Sequence, residues 1–380
     1  MREDLAYWVA FHRVPGVGRV RFKLLEEAFG SLAEAWRANS TQLAAAGFDK
    51  RTLEAVLALR PKINPEQELE RLHKHGVKVL TVQDAGYPAR LKEIYDAPPL
   101  LYMRGELRPE DDACLTVVGT RQITAYGRET TIRLVTDLSR NGLTIVSGLA
   151  RGVDAIAHQA ALDAGGRTIA VQPCGLDSVY PASHAHMARK IAERGAVLSD
   201  YPLGTTPKPE YFPRRNRILA GLSPGTLVVE APEKSGALIT AAYALEEGRE
   251  VLAVPGSILS PASKGVNKLI QDGAKPVLTF HDVLEELNLR ETIAPPKQAK
   301  SLAAKVQPAL LESRPAKPMT YQAQTGPEAR LLGLLSTQPT HVDELRRLSG
   351  LPIAEVTSAL ALMELKGVAR QVGAMNYVLA

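Results

Sequence analysis

The sequence predicts an α/β protein: an extended Rossmann-like, doubly wound parallel sheet, flanked by a small N-terminal helical region and a C-terminal winged helix. Three observations predict it. Short apolar, β-branched runs recur between residues 110 and 260 at intervals of roughly 25–30, the spacing of strand–helix units. Segments of helical period alternate with most of them. Each run then enters a glycine or proline loop.

The elements follow in chain order. Residues 1–75 read as a helical domain. Within it, Val14-Pro15-Gly16-Val17-Gly18 before Val20-Arg21-Phe22-Lys23-Leu24-Leu25 resembles a helix-hairpin-helix, whose hairpin N–H groups can bond a phosphate. Arg13, Arg19, Arg21 and Lys23, with no acidic residue from 5 to 25, would support that use. The alternative is a small helical core of Leu5, Trp8, Val9, Leu24 and Phe29, with the hairpin as a turn.

Residues 76–290 carry the sheet. Strands are expected at Leu115–Val118, Thr144–Ser147, Thr168–Val171, Ala196–Ser199, Thr226–Glu230 and Glu250–Val254. Both faces are apolar, as a parallel sheet covered by helices requires. Helices are expected at Ala125–Arg140, Asp154–Ala164, Ala185–Arg194, Asn216–Leu222 and Ala237–Gly248. In a parallel sheet every strand-to-helix loop collects at the carboxyl edge, where open α/β sheets bind ligands. Glycine there lets backbone N–H groups approach an anion, and helix N-termini favour negative charge. Arg121 and Arg151 stand in two of these loops and can bond a phosphate bidentately. A second cationic cluster, Lys208, Arg214, Arg215 and Arg217, has Tyr211 and Phe212 interleaved and only Glu210 opposing it.

Residues 291–325 read as a linker, because Glu291 to Thr320 holds five prolines, six alanines and no aromatic residue. Such a run cannot bury enough apolar surface to offset its ordering entropy. Residues 326–380 resemble a winged helix: Glu328–Ser336, then Val342–Leu348 and Ile353–Leu365 about the turn Ser349-Gly350-Leu351-Pro352, with Val368–Val378 around Gly373 as the wing. The would-be recognition helix carries Glu355 and Glu364 and no arginine, which favours a protein contact or weak DNA binding over sequence-specific reading.

Composition narrows the function. The net charge is +5 over 380 residues, distributed as +2 in 1–60, 0 in 61–290, +3 in 291–325 and 0 in 326–380. Any nucleic-acid surface must therefore come from local clusters. Two cysteines, Cys114 and Cys174, exclude a disulfide framework and a cysteine-rich zinc module. No apolar run is long enough for a membrane span and the N-terminus lacks the pattern of a signal peptide, so a cytoplasmic protein is expected. The phosphate-binding P-loop and the G-x-G-x-x-G fingerprint are absent. His184 and His186 lack a third ligand at zinc spacing, and no metal or cofactor is expected. His158, four residues after Asp154, is either half of a catalytic pair or an ordinary i, i+4 hydrogen bond. Ser235-Gly236 lacks the surround of a nucleophile elbow.

These loops, in this order, resemble the DNA-processing protein A family (DprA/Smf). The resemblance spans about Gly76 to Asp282. It rests on Gly86-Tyr87-Pro88, Val117-Val118-Gly119-Thr120-Arg121, Ser147-Gly148-Leu149-Ala150-Arg151-Gly152-Val153-Asp154, Cys174-Gly175-Leu176-Asp177, Tyr180-Pro181, Phe212-Pro213-Arg214-Arg215-Asn216-Arg217-Ile218, Val228-Val229-Glu230-Ala231, Ser235-Gly236-Ala237-Leu238-Ile239-Thr240 and Ala253-Val254-Pro255-Gly256. Gln172-Pro173 and His184 depart from the family's usual residues. The resemblance implies a non-enzymatic homodimer that binds single-stranded DNA, and duplex DNA more weakly. It would displace the single-strand-binding protein SSB and load the RecA recombinase during natural transformation or recombination. It also implies a sterile-alpha-motif-like N-terminal module. The expected DNA-binding residues are Gly119, Thr120, Arg121, Gly148, Arg151, Gly152, Lys208, Phe212, Arg214, Arg215, Asn216, Arg217, Ser235 and Gly236. The alternative is a nucleotide-binding Rossmann hydrolase resembling a nucleoside-monophosphate glycosidase, built on Glu230 at a strand end; its P-G-G-x-G-T loop is absent. A winged-helix regulator sensing a nucleotide is a third reading, and it lacks a basic recognition helix.

Overall fold

A computed structural model describes residues 4–289 and 326–379, except 337–339, 367 and 372–374. The expected linker at 291–325 and the expected wing tip at Gly373 lie outside the described residues. The chain divides into two compact units, with the boundary between Ala303 and Ala304.

The first unit is built on nine strands: β1 (Lys78–Thr81), β2 (Leu100–Gly105), β3 (Cys114–Val118), β4 (Thr144–Ser147), β5 (Thr168–Val171), β6 (Ala196–Ser199), β7 (Gly225–Val228), β8 (Glu250–Ala253) and β9 (Lys275–Pro276). They lie in the order β1-β2-β6-β5-β4-β3-β7-β8-β9. From β6 to β9 every neighbouring pair is parallel. β1 and β2 close one edge in antiparallel pairing. The chain winds outward from β3 through β4, β5 and β6, then returns to pair β7 with β3 and winds the other way. The β3/β7 seam is therefore the switch point, where adjacent connections leave toward opposite faces and a crevice opens. β3 to β7 are buried along their whole length, which accounts for their unbroken apolar runs.

The N-terminal helices share one core with the sheet. Trp8 stacks on Phe22 with ring centroids 4.7 Å apart, and Phe11 meets Trp36 edge-on at 4.7 Å. This aromatic cluster continues into Leu100 and Tyr102 of β2, Ala170 of β5 and Val197 of β6. His12 Nδ1 lies 3.0 Å from the Tyr102 hydroxyl, and burial lowers the His12 pKa to about 4. The hairpin at Gly16 exists, with Gly16 at φ 90°. Its cations are engaged within the protein. Arg13 pairs with Glu68 at 2.7 Å, Arg21 with Asp49, and Lys23 with Glu27 at 3.6 Å. Arg19 donates to the carbonyls of Ile94, at 2.7 Å, and Tyr95. Arg13, Arg19 and Arg21 fasten the hairpin to its surroundings, whereas the exposed Lys23 pairs only within its own helix, which weakens the charge argument for a phosphate site there.

The second unit holds helices Pro327–Leu332, Val342–Ser349 and Ile353–Leu365 and the strands β10 (Thr340–His341), β11 (Ala369–Gln371) and β12 (Asn376–Leu379), in the antiparallel order β10-β12-β11. Gly350, at φ 68°, ends the middle helix in the left-handed conformation that glycine adopts most cheaply. Leu331, Leu345, Val356, Leu360 and Met363 form the core. The third helix exposes Ala354, Glu355, Ser358, Ala361, Leu362 and Glu364.

Candidate nucleic-acid interface at the carboxyl edge of the sheet

A cavity of about 460 Å³ opens at the β3/β7 switch point. Its walls are the loop after β3, the start of helix Val153–Asp163, the start of helix Tyr211–Leu222, and the loop from Pro232 into helix Gly236–Glu246.

Glycines set how closely these loops meet. A Cβ on Gly119 would collide with Val153 and with the Glu230 carbonyl. Gly152 stands at φ 79°, and a Cβ there would enter the Thr120 carbonyl. With both positions open, Thr120 N–H donates to the Glu230 carbonyl at 2.7 Å and Val153 N–H to the Thr120 carbonyl at 3.2 Å. The loops carrying Arg121 and Arg151 are thus locked together, and both arginines are exposed. The Arg121 guanidinium carbon lies 5.0 Å from the Phe212 ring centroid. Phe212 is half-buried and meets Tyr180 edge-on at 5.3 Å.

The cationic cluster of the sequence divides by helical face. Lys208 and Arg214 are exposed, with Lys208 5.7 Å from the Tyr211 ring centroid. Arg215 is 3% exposed and donates to the carbonyls of Gly148, at 2.6 Å, and Val171. Gly148 has to be glycine, because a Cβ would overlap the Arg215 guanidinium. Burial lowers the Arg215 pKa to about 10, against the opposing pull of Asp154. Arg215 thus remains charged at neutral pH and forms part of the cavity floor. Arg217 is paired with Asp96 at 2.9 Å and Asp200 at 2.8 Å. It is not among the cavity's lining residues and braces neighbouring loops. Asn216 is buried, donating to the Gly236 carbonyl at 3.3 Å.

At two of the helices that begin at this rim a buried carboxylate lies at the helix start. Glu230, 1% exposed, accepts from Thr124 N–H at 2.9 Å and from the Thr124 hydroxyl at 2.7 Å, at the start of helix Ala125–Arg140. Asp154, in the first turn of helix Val153–Asp163, accepts from Ala150 N–H at 3.3 Å. Burial raises the Asp154 pKa, and Arg215 counters part of that rise. Helix Gly236–Glu246 has no acidic residue in its first turn. Its cap, the Ser235 hydroxyl, accepts from Ala237 N–H at 3.3 Å. Gly236 is exposed, with nothing within 4 Å of the position a Cβ would take. Lys234 is exposed beside it and lines the cavity, as does Thr240, whose buried hydroxyl has no hydrogen-bond partner among the described residues.

The structure therefore gathers Gly119, Thr120, Arg121, Phe212, Arg215, Asn216, Ser235 and Gly236 around one cavity. Gly148, Arg151 and Gly152 shape the adjoining loop, Lys208 and Arg214 lie on exposed surface outside the cavity lining, and Arg217 is engaged elsewhere. Sequence reasoning missed Gln122, Lys234, Ile239 and Thr240. A lysine directly before a helix cap was the signal available for Lys234. His158 forms neither of its expected pairings: its Nδ1 lies 2.7 Å from the Thr168 hydroxyl, whose own proton goes to the Ile145 carbonyl. His184 Nδ1 lies 2.9 Å from the Leu149 carbonyl. No cluster of metal-ligating residues occurs among the described residues.

Comparison with known proteins identifies the family. Residues 78–288 match the family DNA recombination-mediator protein A, and residues 315–375 match the DprA winged helix domain. Protein Smf of Synechocystis is 36% identical over 391 aligned residues, covering 98% of each chain. The crystal structure of DNA processing protein A from Streptococcus pneumoniae superposes with a TM-score of 0.65 at 36% identity, covering 74% of this chain and 97% of that one. A structure of DNA processing protein A from Helicobacter pylori, described in terms of its single-stranded DNA binding mode, superposes with a TM-score of 0.51 at 30% identity, covering 57% and 97%. This chain belongs to the DNA recombination-mediator protein A family, the DprA/Smf DNA-processing proteins.

Proposed function

We propose that this protein binds single-stranded DNA across the switch-point cavity and, as a cytoplasmic homodimer, hands it to a RecA-type recombinase in competition with SSB. The observation that carries the reading is the pairing of a phosphate-seeking with a base-seeking surface. Exposed Arg121, Arg151 and Lys234 and the open N-terminus of helix Gly236–Glu246 favour phosphate. Phe212, with Arg121 over it, offers a ring to an unpaired base, a sequence-tolerant interaction worth ~1–3 kcal/mol. The Helicobacter pylori relative, described by its single-stranded DNA binding mode, supports the same ligand. The rival hydrolase reading needs Glu230 as an acid or base, and that carboxylate is buried and engaged by Thr124.

For RecA delivery and dimerisation the support is the family resemblance together with a geometric need. One cavity covers few nucleotides, and two on one strand gain through effective concentration. For the self-association surface we propose the stretch Leu238 to Leu252, whose Leu245 on helix Gly236–Glu246 is an exposed apolar side chain outside the cavity lining.

The test is fluorescence anisotropy with a labelled oligo(dT), a duplex of equal length and a mononucleotide at graded salt. Tight, salt-dependent binding of the oligo(dT) is expected, with the duplex weaker and the mononucleotide weakest. Arg121→Glu should weaken oligo(dT) binding at least about tenfold, ~1.4 kcal/mol, and reduce the salt slope by ~0.7 for each phosphate that is no longer neutralised. Unchanged affinity in a folded Arg121→Glu variant would remove this loop from the site.

A further inference from the structure

The loop from Gly148 to Gly152, between β4 and helix Val153–Asp163, holds a leucine in a conformation usual for glycine. Leu149 stands at φ 55° with its side chain fully buried. Among the described residues only Asn288 and Met375 share a positive φ without being glycine, and both are exposed. A left-handed leucine is strained and persists only where its surroundings hold it. With Leu149 turned inward and Gly152 also left-handed, the chain between them comes to the surface, where Arg151 is exposed.

Several bonds fix this loop from inside the fold. Arg215 donates to the Gly148 carbonyl at 2.6 Å, Ala150 N–H donates to Asp154 at 3.3 Å, and Val153 N–H donates to the Thr120 carbonyl at 3.2 Å. Arg215 and Asp154 are buried charges that the surrounding elements also need. The Leu149 carbonyl is held differently. Its partner is the half-buried His184, which reaches it from the short turn Ala182–His184 ahead of helix Ala185–Arg194. Nδ1 lies 2.9 Å from the carbonyl oxygen, and a carbonyl only accepts, so Nδ1 carries the proton. His184 is not among the residues lining the switch-point cavity.

We infer that His184 is a positioning residue for DNA: its bond to the Leu149 carbonyl holds the strained loop in place and so holds Arg151 at the rim, without touching the strand itself. The inference rests on the proposed single-stranded DNA binding and assigns part of its affinity to a side chain outside the cavity.

Two assays on the full-length protein test it. The first needs no DNA. Trypsin cuts after an arginine only when the segment opens to fit the protease, so the rate of cleavage between Arg151 and Gly152, read by mass spectrometry, reports how often the loop opens. His184→Leu keeps the bulk and removes the donor, and this bond should then be cut about fivefold faster, the scale of one lost hydrogen bond, with other tryptic sites unchanged. His184→Asn puts an amide nitrogen where the imidazole has Nδ1 and should bring the rate back to within about twofold of wild type. The second assay is oligo(dT) binding. Arg151→Ala should weaken it about fivefold and His184→Leu about threefold, and the double variant should match Arg151→Ala alone, because a loop without its cation has nothing left to position. His184→Ala serves in the same comparisons if His184→Leu fails to fold. The positioning role is overturned by an unchanged cutting rate in the folded donor-less variant, by His184→Asn being cut as fast as that variant, by wild-type affinity in Arg151→Ala, or by additive losses in the double variant. Failure of the wild type to bind oligo(dT) overturns the DNA reading itself, and the tryptic rates keep that failure distinct from a failure of His184 to hold the loop.

Discussion

Replacing Arg215 with methionine should destabilise the fold far more than replacing any exposed cation of the same cluster. Arg215 is 3% exposed and joins three elements: its own helix, the end of β4 through the Gly148 carbonyl, and the end of β5 through the Val171 carbonyl. Methionine fills similar volume without a donor. Each carbonyl left unpaired costs about 1–3 kcal/mol, and Asp154 is left buried without its nearby cation. Removing one partner of a buried charged pair costs about 3–5 kcal/mol in comparable cases, and the contributions overlap, so a loss of about 3–5 kcal/mol is expected. At about 2–4 °C per kcal/mol for a unit of this size, the melting temperature should fall by roughly 6–20 °C. Circular dichroism melts read this directly. Adding Asp154→Leu to Arg215→Met should recover part of the loss, because the stranded carboxylate goes with it. A single Arg215→Met variant that melts within about 2 °C of wild type yet loses DNA binding would refute the reasoning. It would make Arg215 a cation held for the ligand rather than for the fold.

Other expectations follow from the same geometry. Phe212 is half-buried and packs against Tyr180 and Arg121, so Phe212→Ala should weaken oligo(dT) binding by ~1–3 kcal/mol while shifting the melting temperature only slightly; a large melting shift with intact binding would make it a core residue. A chain ending near Glu291 should keep oligo(dT) affinity within roughly threefold, ~0.6 kcal/mol, because the exposed face of helix Ile353–Leu365 in the second unit carries Glu355 and Glu364 and no cation. Loss of binding by that folded chain would place the winged helix in the DNA site. Light scattering at micromolar protein should give a dimer mass, and a monomer mass would end the two-cavity argument. His12 and His158 are buried neutral, with pKa values lowered to about 4 and about 3, so below the ordinary histidine value of about 6.5 only the unfolded chain takes up their protons. Their contribution to stability is intact above pH 6.5 and falls by about 1.4 kcal/mol per histidine per pH unit below it; a urea titration of His158→Gln should show the acid slope cut by about half, and an unchanged slope would contradict it.

The parallel strands were legible because a strand buried on both faces leaves an unbroken apolar run. Thr144–Ser147, Thr168–Val171 and Ala196–Ser199 carry the same bounds in sequence and structure. β1, β2 and β9 were not legible. β1 is half-exposed, β2 lies beyond the recurring strand–helix spacing, and β9 has only two residues. The helix expected from Asn216 begins five residues earlier, at Tyr211. Pro213 read as loop, yet it sits in the first turn, where a missing N–H breaks no helical bond. That boundary decided how the site was read. Taken as a loop, Arg214 and Arg215 looked equally free, and Arg217 one turn on looked like their continuation. As helix positions they point in different directions, 215 inward, 214 to solvent and 217 toward Asp200. Charge counting finds cations; helical phase is needed to tell which of them are free.

The rim's specificity for where an anion sits depends as much on carboxylates as on arginines. A doubly wound sheet presents several helix N-termini at one edge, and each attracts negative charge. If all were open, a flexible polyanion could settle in many registers. Here Glu230 satisfies the start of helix Ala125–Arg140, and Asp154 lies in the first turn of helix Val153–Asp163. Both carboxylates are internal to the fold. Helix Gly236–Glu246 keeps an uncharged first turn, with Lys234 on one side and Arg121 across the cavity. The favourable field is thereby concentrated on the walls built by the start of helix Gly236–Glu246 and by the start of helix Tyr211–Leu222, whose first turn also lacks an acidic residue and carries Phe212. A single strand bound as proposed would have its phosphates drawn to these two helix starts, where the Phe212 ring also offers a base an aromatic surface.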